Sequence, residues 1–253
     1  MKDRDTVSRF SNRVENYVKY RPHYPAGMVK LLEKEFGISH LCKVADIGSG
    51  TGISAEQFVE SGYTVYGIDP NSDMRAAAES FYSGNDKFIS IDGSAEVTTL
   101  PDKYIDIIIA GQAFHWFEKS AARIEFKRIL KDNGLVFLIW NKKKSGEGFM
   151  NEYFGLLEKY GTDYNKVKHE NYESQEIEEF FSPDKCRLHK LDNVQVLDYE
   201  ALEGRLLSSS YIPLSGPKFD EMIIELRNIH KNYNNNGLVT LEYETVIYAG
   251  SLS

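Results

Sequence analysis

Val44-Ala45-Asp46-Ile47-Gly48-Ser49-Gly50-Thr51-Gly52 is the stretch on which the reading of this chain turns. A short apolar run ends in an acid, three glycines follow at alternate positions, and a helical pattern begins at Ser54. Glycine admits positive φ and lets a ligand approach the backbone closely. The helix that follows offers N–H groups with no partner inside the helix. Such a junction is either a plain turn or the seat of a nucleotide-like ligand. That ligand is the pyrophosphate of a dinucleotide or the ribose and amino-acid tail of S-adenosylmethionine, which carries no phosphate.

The spacing weighs between them. The dinucleotide fingerprint is GxGxxG, and the position of its third glycine is held here by Ile53. No GK[ST] follows, so a Walker loop is excluded. Asp69 closes the next apolar run, 21 residues after Gly48, where a carboxylate can accept both ribose hydroxyls. S-adenosylmethionine is favoured over a dinucleotide and over a bare turn.

Outward from the loop, strand and helix patterns alternate. Lys43–Ile47, Thr64–Ile68, Phe88–Ile91, Tyr104–Ala110 and Leu135–Trp140 are short apolar runs, the pattern of parallel strands covered on both faces. Between them, Ser54–Ser61 is expected to be a helix closed by Gly62. Met74, Ala77, Ala78 and Phe81 share one helical face. A third helix carries Ala122, Phe126, Ile129 and Leu130 and is expected to end at Asn133-Gly134. This alternation predicts a doubly wound sheet. Upstream, helices are expected over Val7–Tyr20 and Ala26–Phe36, separated by two prolines and stopped by Gly37. Downstream, residues 141–185 are polar and rich in Tyr and Glu, with Met150, Tyr153, Phe154 and Leu157 at helical spacing. A strand over Arg187–Leu197 and helices around Tyr199–Leu207 and Phe219–Leu226 follow. In Leu238–Tyr248, Val239, Leu241 and Tyr243 alternate with polar residues, as in a half-buried antiparallel strand.

Composition sets outer limits. The chain has 253 residues, 42% hydrophobic and 27% charged, with a net charge of −8, so a basic nucleic-acid-binding surface is not expected. The one tight basic run, Lys142–Lys144, reads as a solvated loop. No apolar run reaches the roughly 18–20 residues of a membrane span, and the charged opening MKDRDTVSRFSNR has no apolar signal core. A cytoplasmic location is therefore expected. Cys42 and Cys186 form no CxxC pair, and the six histidines form no HExxH or Cys/His cluster, so no metal is expected.

With these pieces in place the chain resembles the class I S-adenosylmethionine-dependent methyltransferases. Within them it resembles the small-molecule branch of ubiquinone/menaquinone-type and trans-aconitate-type enzymes. VADIGSGTG (44–52), YGIDPNSDM (66–74), DGSAE (92–96), LPDKYIDIIIAGQAFHWF (100–117) and LKDNGLVFLIW (130–140) carry the resemblance, with FSNRVENYVKYRPHYP at the start. It weakens past residue 145. The resemblance implies a Rossmann-like α/β fold, with a seven-stranded, mostly parallel sheet, one antiparallel strand, helices on both faces and a helical lid after the fifth strand. The expected layout is a single domain over 1–253. It comprises a helical segment 1–40, a cofactor-binding core 43–140, cover segments 141–185 and 206–235, and a final strand 238–249.

Position by position, the resemblance implies these roles. The backbone of Gly48, Ser49 and Gly50, with Gly52 closing the loop, packs on the methionine portion, and Asp46 lies near its amino group. Asp69 holds the ribose. Pro70 and Met74 flank the adenine, and Ser94, Ala95 and Glu96 line its edge. Gln112 and Ala113 meet the methionine from the other side. Tyr17 and Arg21 fold over the cofactor, Arg21 near its carboxylate.

Methyl transfer from a sulfonium needs a positioned nucleophile and a dry site, and a base only if the nucleophile carries an acidic proton. His115 is the candidate base, because it lies just past the carboxyl end of a strand, where open α/β sheets bind ligands, and its ordinary pKa suits neutral pH. Trp116 and Phe117 are expected either to wall off a substrate pocket or to join the core. GQAF stands where a [DN]PP[YFW] tetrapeptide would signal amino-group methylation of adenine or glutamine side chains. The expected function is methyl transfer to a small-molecule acceptor by a monomer or homodimer that binds neither nucleic acid nor membrane. The alternative is a binding or regulatory protein that keeps the fold without catalysis.

Overall fold

The computed structural model describes residues 14–162 and 174–252. Residues 7–13 of the expected first helix, and Tyr164 and Tyr172 of the 141–185 segment, lie outside the described residues, as does the side chain of Tyr17. The described residues divide into two compact units, one of residues 23–141, 174–191 and 245–252, the other of residues 14–22, 142–162 and 192–244.

The first unit is built on alternating strands and helices. In chain order they are α2 (Met28–Phe36), β1 (Lys43–Ile47), α3 (Glu56–Glu60), β2 (Thr64–Asp69), α4 (Ser72–Phe81), β3 (Phe88–Asp92), β4 (Ile105–Gly111), α5 (Lys119–Ile129), β5 (Leu130–Lys143) and α7 (Ser174–Phe181). The second unit holds α1 (Val14–Tyr20), α6 (Phe149–Tyr160), α8 (Tyr199–Leu207) and α9 (Pro217–Tyr233). Strands β5, β6 (Arg187–Leu197) and β7 (Val239–Gly250) contribute residues to both units. The seven strands form one sheet in the order β3-β2-β1-β4-β5-β7-β6, with one antiparallel pair. β1 pairs in parallel with β2 and with β4, β2 with β3, and β4 with β5. The expected mostly parallel Rossmann-like sheet is what the chain forms.

The period of two along each strand explains why the central runs are continuously apolar. Val44, Val65, Ile107 and Ile109 enter one core with Met28, Phe58 and Phe137. Their neighbours Ala45, Ile47, Ile68, Ile108 and Ala110 enter the opposite core with Phe114, Phe126 and Trp140. The second unit has its own core, in which Tyr153, Leu157, Leu202, Leu206, Met222, Leu226 and Tyr243 are all buried.

Three boundaries depart from the sequence reading. Helix α5 stops at Ile129 and β5 begins at Leu130, before the Asn133-Gly134 turn expected to end the helix. Asn133 is accommodated inside the strand at φ 64°, and the pairing register between β4 and β5 shifts between Ile105 and Ile107, as at a bulge. Lys142 and Lys143, expected in a solvated loop, continue β5. On α4 the buried line is Met74, Ala78 and, just past the helix, Tyr82, while Phe81 is 48% exposed. The Tyr82 ring stacks on Phe88 at 4.2 Å, and its hydroxyl donates to the Gly52 carbonyl at 2.8 Å. That bond draws Tyr82 inward in place of Phe81. Among the described residues no helix is long and apolar enough to cross a membrane.

Candidate active site

The carboxyl ends of β1, β2 and β4 bring the glycine loop and its acids together. Gly48, Gly50 and Gly52 all have positive φ, at 69°, 54° and 87°. Gly48 N–H and Ser49 N–H both donate to the Ile68 carbonyl, at 2.8 and 3.1 Å, which ties the loop to the end of β2. Gly52 N–H donates to the Ser49 carbonyl at 2.9 Å. Gly48 packs against Ala113, where an added Cβ would lie 2.6 Å from the alanine methyl, whereas a Cβ on Gly50 would meet nothing within 4 Å. Open space therefore lies over the middle of the loop.

Asp69 is the second fixed point. Its Oδ2 accepts from Gly50 N–H at 2.9 Å and its Oδ1 from Asn71 N–H at 2.8 Å. One carboxylate so joins the glycine loop to the turn into α4. Asn71 in turn caps α4, accepting from the N–H groups of Asp73 and Met74. Burial pushes the Asp69 carboxyl up, and the two backbone N–H groups and Arg75 oppose this only in part.

Asp46 is wholly buried. Its Oδ2 accepts from the Ser54 hydroxyl at 2.6 Å, and its Oδ1 is buried without a hydrogen-bond partner. Burial raises its pKa to about 7, the Ser54 bond opposes the rise, and the charge of Asp69 adds to it. A buried acid with an unmatched oxygen is costly, and a second carboxylate beside it sharpens the need for a cation. Gln112 completes the rim at the end of β4. It stands at φ 57°, strained for a residue with a Cβ. Its backbone N–H donates to the Ile139 carbonyl and its side-chain Nε2 to the Asn141 carbonyl, while its Oε1 is buried without a partner. The group expected here, with an ammonium on its amino-acid tail and a ribose, fits these acceptors. Asp46 Oδ1 and Gln112 Oε1 are acceptors awaiting donors, and the space above Gly50 is clear.

The remaining expected residues divide. Ser94, Ala95 and Glu96 lie in the loop after β3. The Ser94 hydroxyl accepts from the N–H groups of Glu96 and Val97, and the Glu96 carboxylate accepts from Glu118 N–H. That loop is anchored by Glu125, which accepts from Thr98 N–H and is forked by Arg128. Burial would raise Glu125, but Arg128 and Thr98 outweigh it and hold it at about 2. Met74 and Ala95 are buried, and Pro70 is exposed. Ala113 opens the 3₁₀ turn Phe114–Trp116, which sets His115, half-buried, just past β4 with its ring 4.5 Å from that of Trp116. Phe117 joins the core, and Trp116 is 44% exposed. Arg21 belongs to the second unit, where its Nη2 donates to the Ser208 carbonyl at 3.0 Å. Ser54, Asn71 and Tyr82 were not singled out in the sequence. Asn71 stands at a helix start where Asn signals a cap, but no pattern marked the other two.

Comparison with known proteins agrees with this geometry. Residues 45–138 match the methyltransferase domain family. An uncharacterized methyltransferase of Schizosaccharomyces pombe is 29% identical over 59% of this chain and 59% of its own length. The chain thus spans about three-fifths of that relative. An uncharacterized methyltransferase of Mycobacterium bovis is 27% identical over 99% of this chain and 98% of its own. Among solved structures, a putative type II methyltransferase from Anaeromyxobacter dehalogenans superposes with a TM-score of 0.68 at 18% identity, covering 91% of this chain and 97% of that one. Fold, loop and family match agree over residues 45–138, which resemble a methyltransferase domain.

Proposed function

We propose that the protein moves the methyl group of S-adenosylmethionine to a small-molecule acceptor by direct in-line displacement. The carrying observation is Asp46, a fully buried carboxylate with one oxygen unpartnered, set beside Asp69 at the end of the glycine loop. When bound, S-adenosylmethionine supplies an electrophilic methyl on a sulfonium, whose departure leaves a neutral thioether. The chain's own part is to bind and to orient. Asp46 and the Gln112 side-chain Oε1 accept from the amino group, Asp69 accepts from the ribose hydroxyls, and Gly50 leaves room for the ligand against the backbone. Holding the acceptor about 3 Å from the methyl and excluding water supplies most of the acceleration.

Calorimetry tests the donor. S-adenosylmethionine and its demethylated product are expected to bind, and NAD is not. Failure of both sulfur nucleotides up to millimolar concentration overturns the reading. Asp69→Ala is expected to weaken binding by roughly 1.5–3 kcal/mol, the range for hydrogen bonds to a charged group, and unchanged affinity removes Asp69 from the ribose.

His115 is placed in the same proposal as general base for an acceptor with an acidic proton. The expected loss in His115→Asn is roughly 10²–10⁴-fold in turnover, with the acid limb of the pH–rate profile abolished. Full rate with an unaltered profile would leave the histidine a purely packing role.

A further inference from the structure

The second unit buries a cation in its core. Arg205, in the last turn of α8, is only 4% exposed. On the same helix, Leu202 and Leu206 are buried in the apolar cluster that also holds Leu226. Among the described residues no carboxylate pairs with Arg205. Its Nη1 reaches the hydroxyls of Ser208 and Ser209 at 3.3 and 3.4 Å, long bonds to neutral groups. Its Nε is buried without a hydrogen-bond partner. On α6, the hydroxyl of Tyr153 is likewise buried without one, in a side chain 2% exposed.

Other donors and charges converge on the same place. Tyr243, on β7, acts electrostatically on Arg205 and donates to Gln195 Oε1 at 3.4 Å. Lys143, at the end of β5, bonds to Tyr211, and Arg21 acts electrostatically on both Tyr153 and Tyr211. Burial drives the Lys143 ammonium down. Burial would raise the Tyr211 phenol, but Lys143, Arg205 and Arg21 together pull it below its ordinary value. Three cations therefore act on a small group of phenols, and the strongest electrostatic neighbours of the one most deeply buried are tyrosines. An ion taken out of water is costly unless an opposite charge meets it. Neutral hydroxyls at 3.3 Å and beyond do not supply that charge.

We propose that this cluster is a binding site for the carboxylate of a small organic acid. The planar fork of a guanidinium matches a carboxylate in two parallel N–H···O bonds. Arg205 Nε and the Tyr153 hydroxyl are the donors left over for it, and Lys143 and Arg21 supply the surrounding positive field. The inference stands on the second unit's own residues and gives to the acid Arg21, which the resemblance implies near the carboxylate of the methyl donor.

The test is calorimetry on the full chain at constant ionic strength, titrating acetate, succinate, citrate and inorganic phosphate. Each titration is repeated with saturating S-adenosylhomocysteine. A saturable single site for succinate or citrate, indifferent to the nucleotide, is expected. Tyr153→Phe removes a hydroxyl with no partner in the fold, so the variant should fold normally and bind the acid about tenfold more weakly. Arg205→Lys keeps the charge but loses the fork and is expected to weaken it further. The proposal is overturned by the absence of saturable carboxylate binding, by binding of phosphate alone, or by undiminished binding in Tyr153→Phe. It is equally overturned by competition from S-adenosylhomocysteine, which would assign the cluster to the amino-acid carboxylate of the methyl donor.

Discussion

Replacing Asp46 with asparagine is expected to cut affinity for S-adenosylmethionine roughly a hundredfold while making the ligand-free protein more stable above neutral pH. Both effects follow from one buried carboxylate. In the folded chain burial raises its pKa to about 7, against the Ser54 hydrogen bond and with the charge of Asp69 adding to the rise. The unfolded chain releases that proton near pH 4. Between those values the folded state holds a proton the unfolded state has lost, so stability is highest at low pH and falls as pH climbs through about 7. From pH 5.5 to 8 the loss due to this group is about 2 kcal/mol. Asparagine keeps an oxygen for the Ser54 hydroxyl and cannot ionise, so this slope should vanish. Urea denaturation at the two pH values measures it, and parallel wild-type and variant profiles would show that Asp46 carries no such cost. The binding half has the opposite slope. Only the ionised carboxylate meets an ammonium, so wild-type affinity should rise with pH up to about 7 and then level off. Opposite slopes for stability and for binding are the expected signature of a proposed site that trades stability for a cationic ligand.

That acid was legible in the sequence because its neighbours are stereotyped. A strand, alternate glycines and a second acid at the end of the next strand leave few ligand choices, and the parallel sheet follows from apolar runs too continuous for a half-wet surface. What was hidden depends on contacts distant in sequence. Tyr82 supports the glycine loop through its bond to the Gly52 carbonyl, yet it follows an equally apolar Phe81, and periodicity alone favoured the phenylalanine. The start of β5 was masked by Asn133-Gly134, an ordinary helix stop that the chain uses instead as an irregularity inside a strand. Arg205 was hidden for a different reason. A cation in an amphipathic pattern is assigned to solvent by default, and only tertiary packing shows that the tyrosines of α6 and β7 have enclosed it.

The glycines of the loop should separate folding from binding. Gly48→Ala is expected to give a large loss of stability. The new Cβ would stand 2.6 Å from that of Ala113 and 3.4 Å from the Phe117 ring, at a φ of +69°. The left-handed conformation costs about 1–2 kcal/mol with a Cβ, and overpacking a filled site about 1–3 kcal/mol more. A total of roughly 2–5 kcal/mol should appear as a lower urea midpoint with an unchanged slope. Gly50→Ala meets the first cost without the second, because its φ is +54° and nothing lies within 4 Å of the added carbon. Its stability should therefore fall by only about 1–2 kcal/mol, while the methyl occupies the space assigned to the methionine portion of the donor. The expected pattern is a crossover, with Gly48→Ala poorly folded and Gly50→Ala folded but deficient in binding. Equal loss of stability in the two would mean that conformational strain dominates at both. Full affinity in Gly50→Ala would show that the ligand does not lie over the middle of the loop, and the clear space there would then owe nothing to methyl transfer.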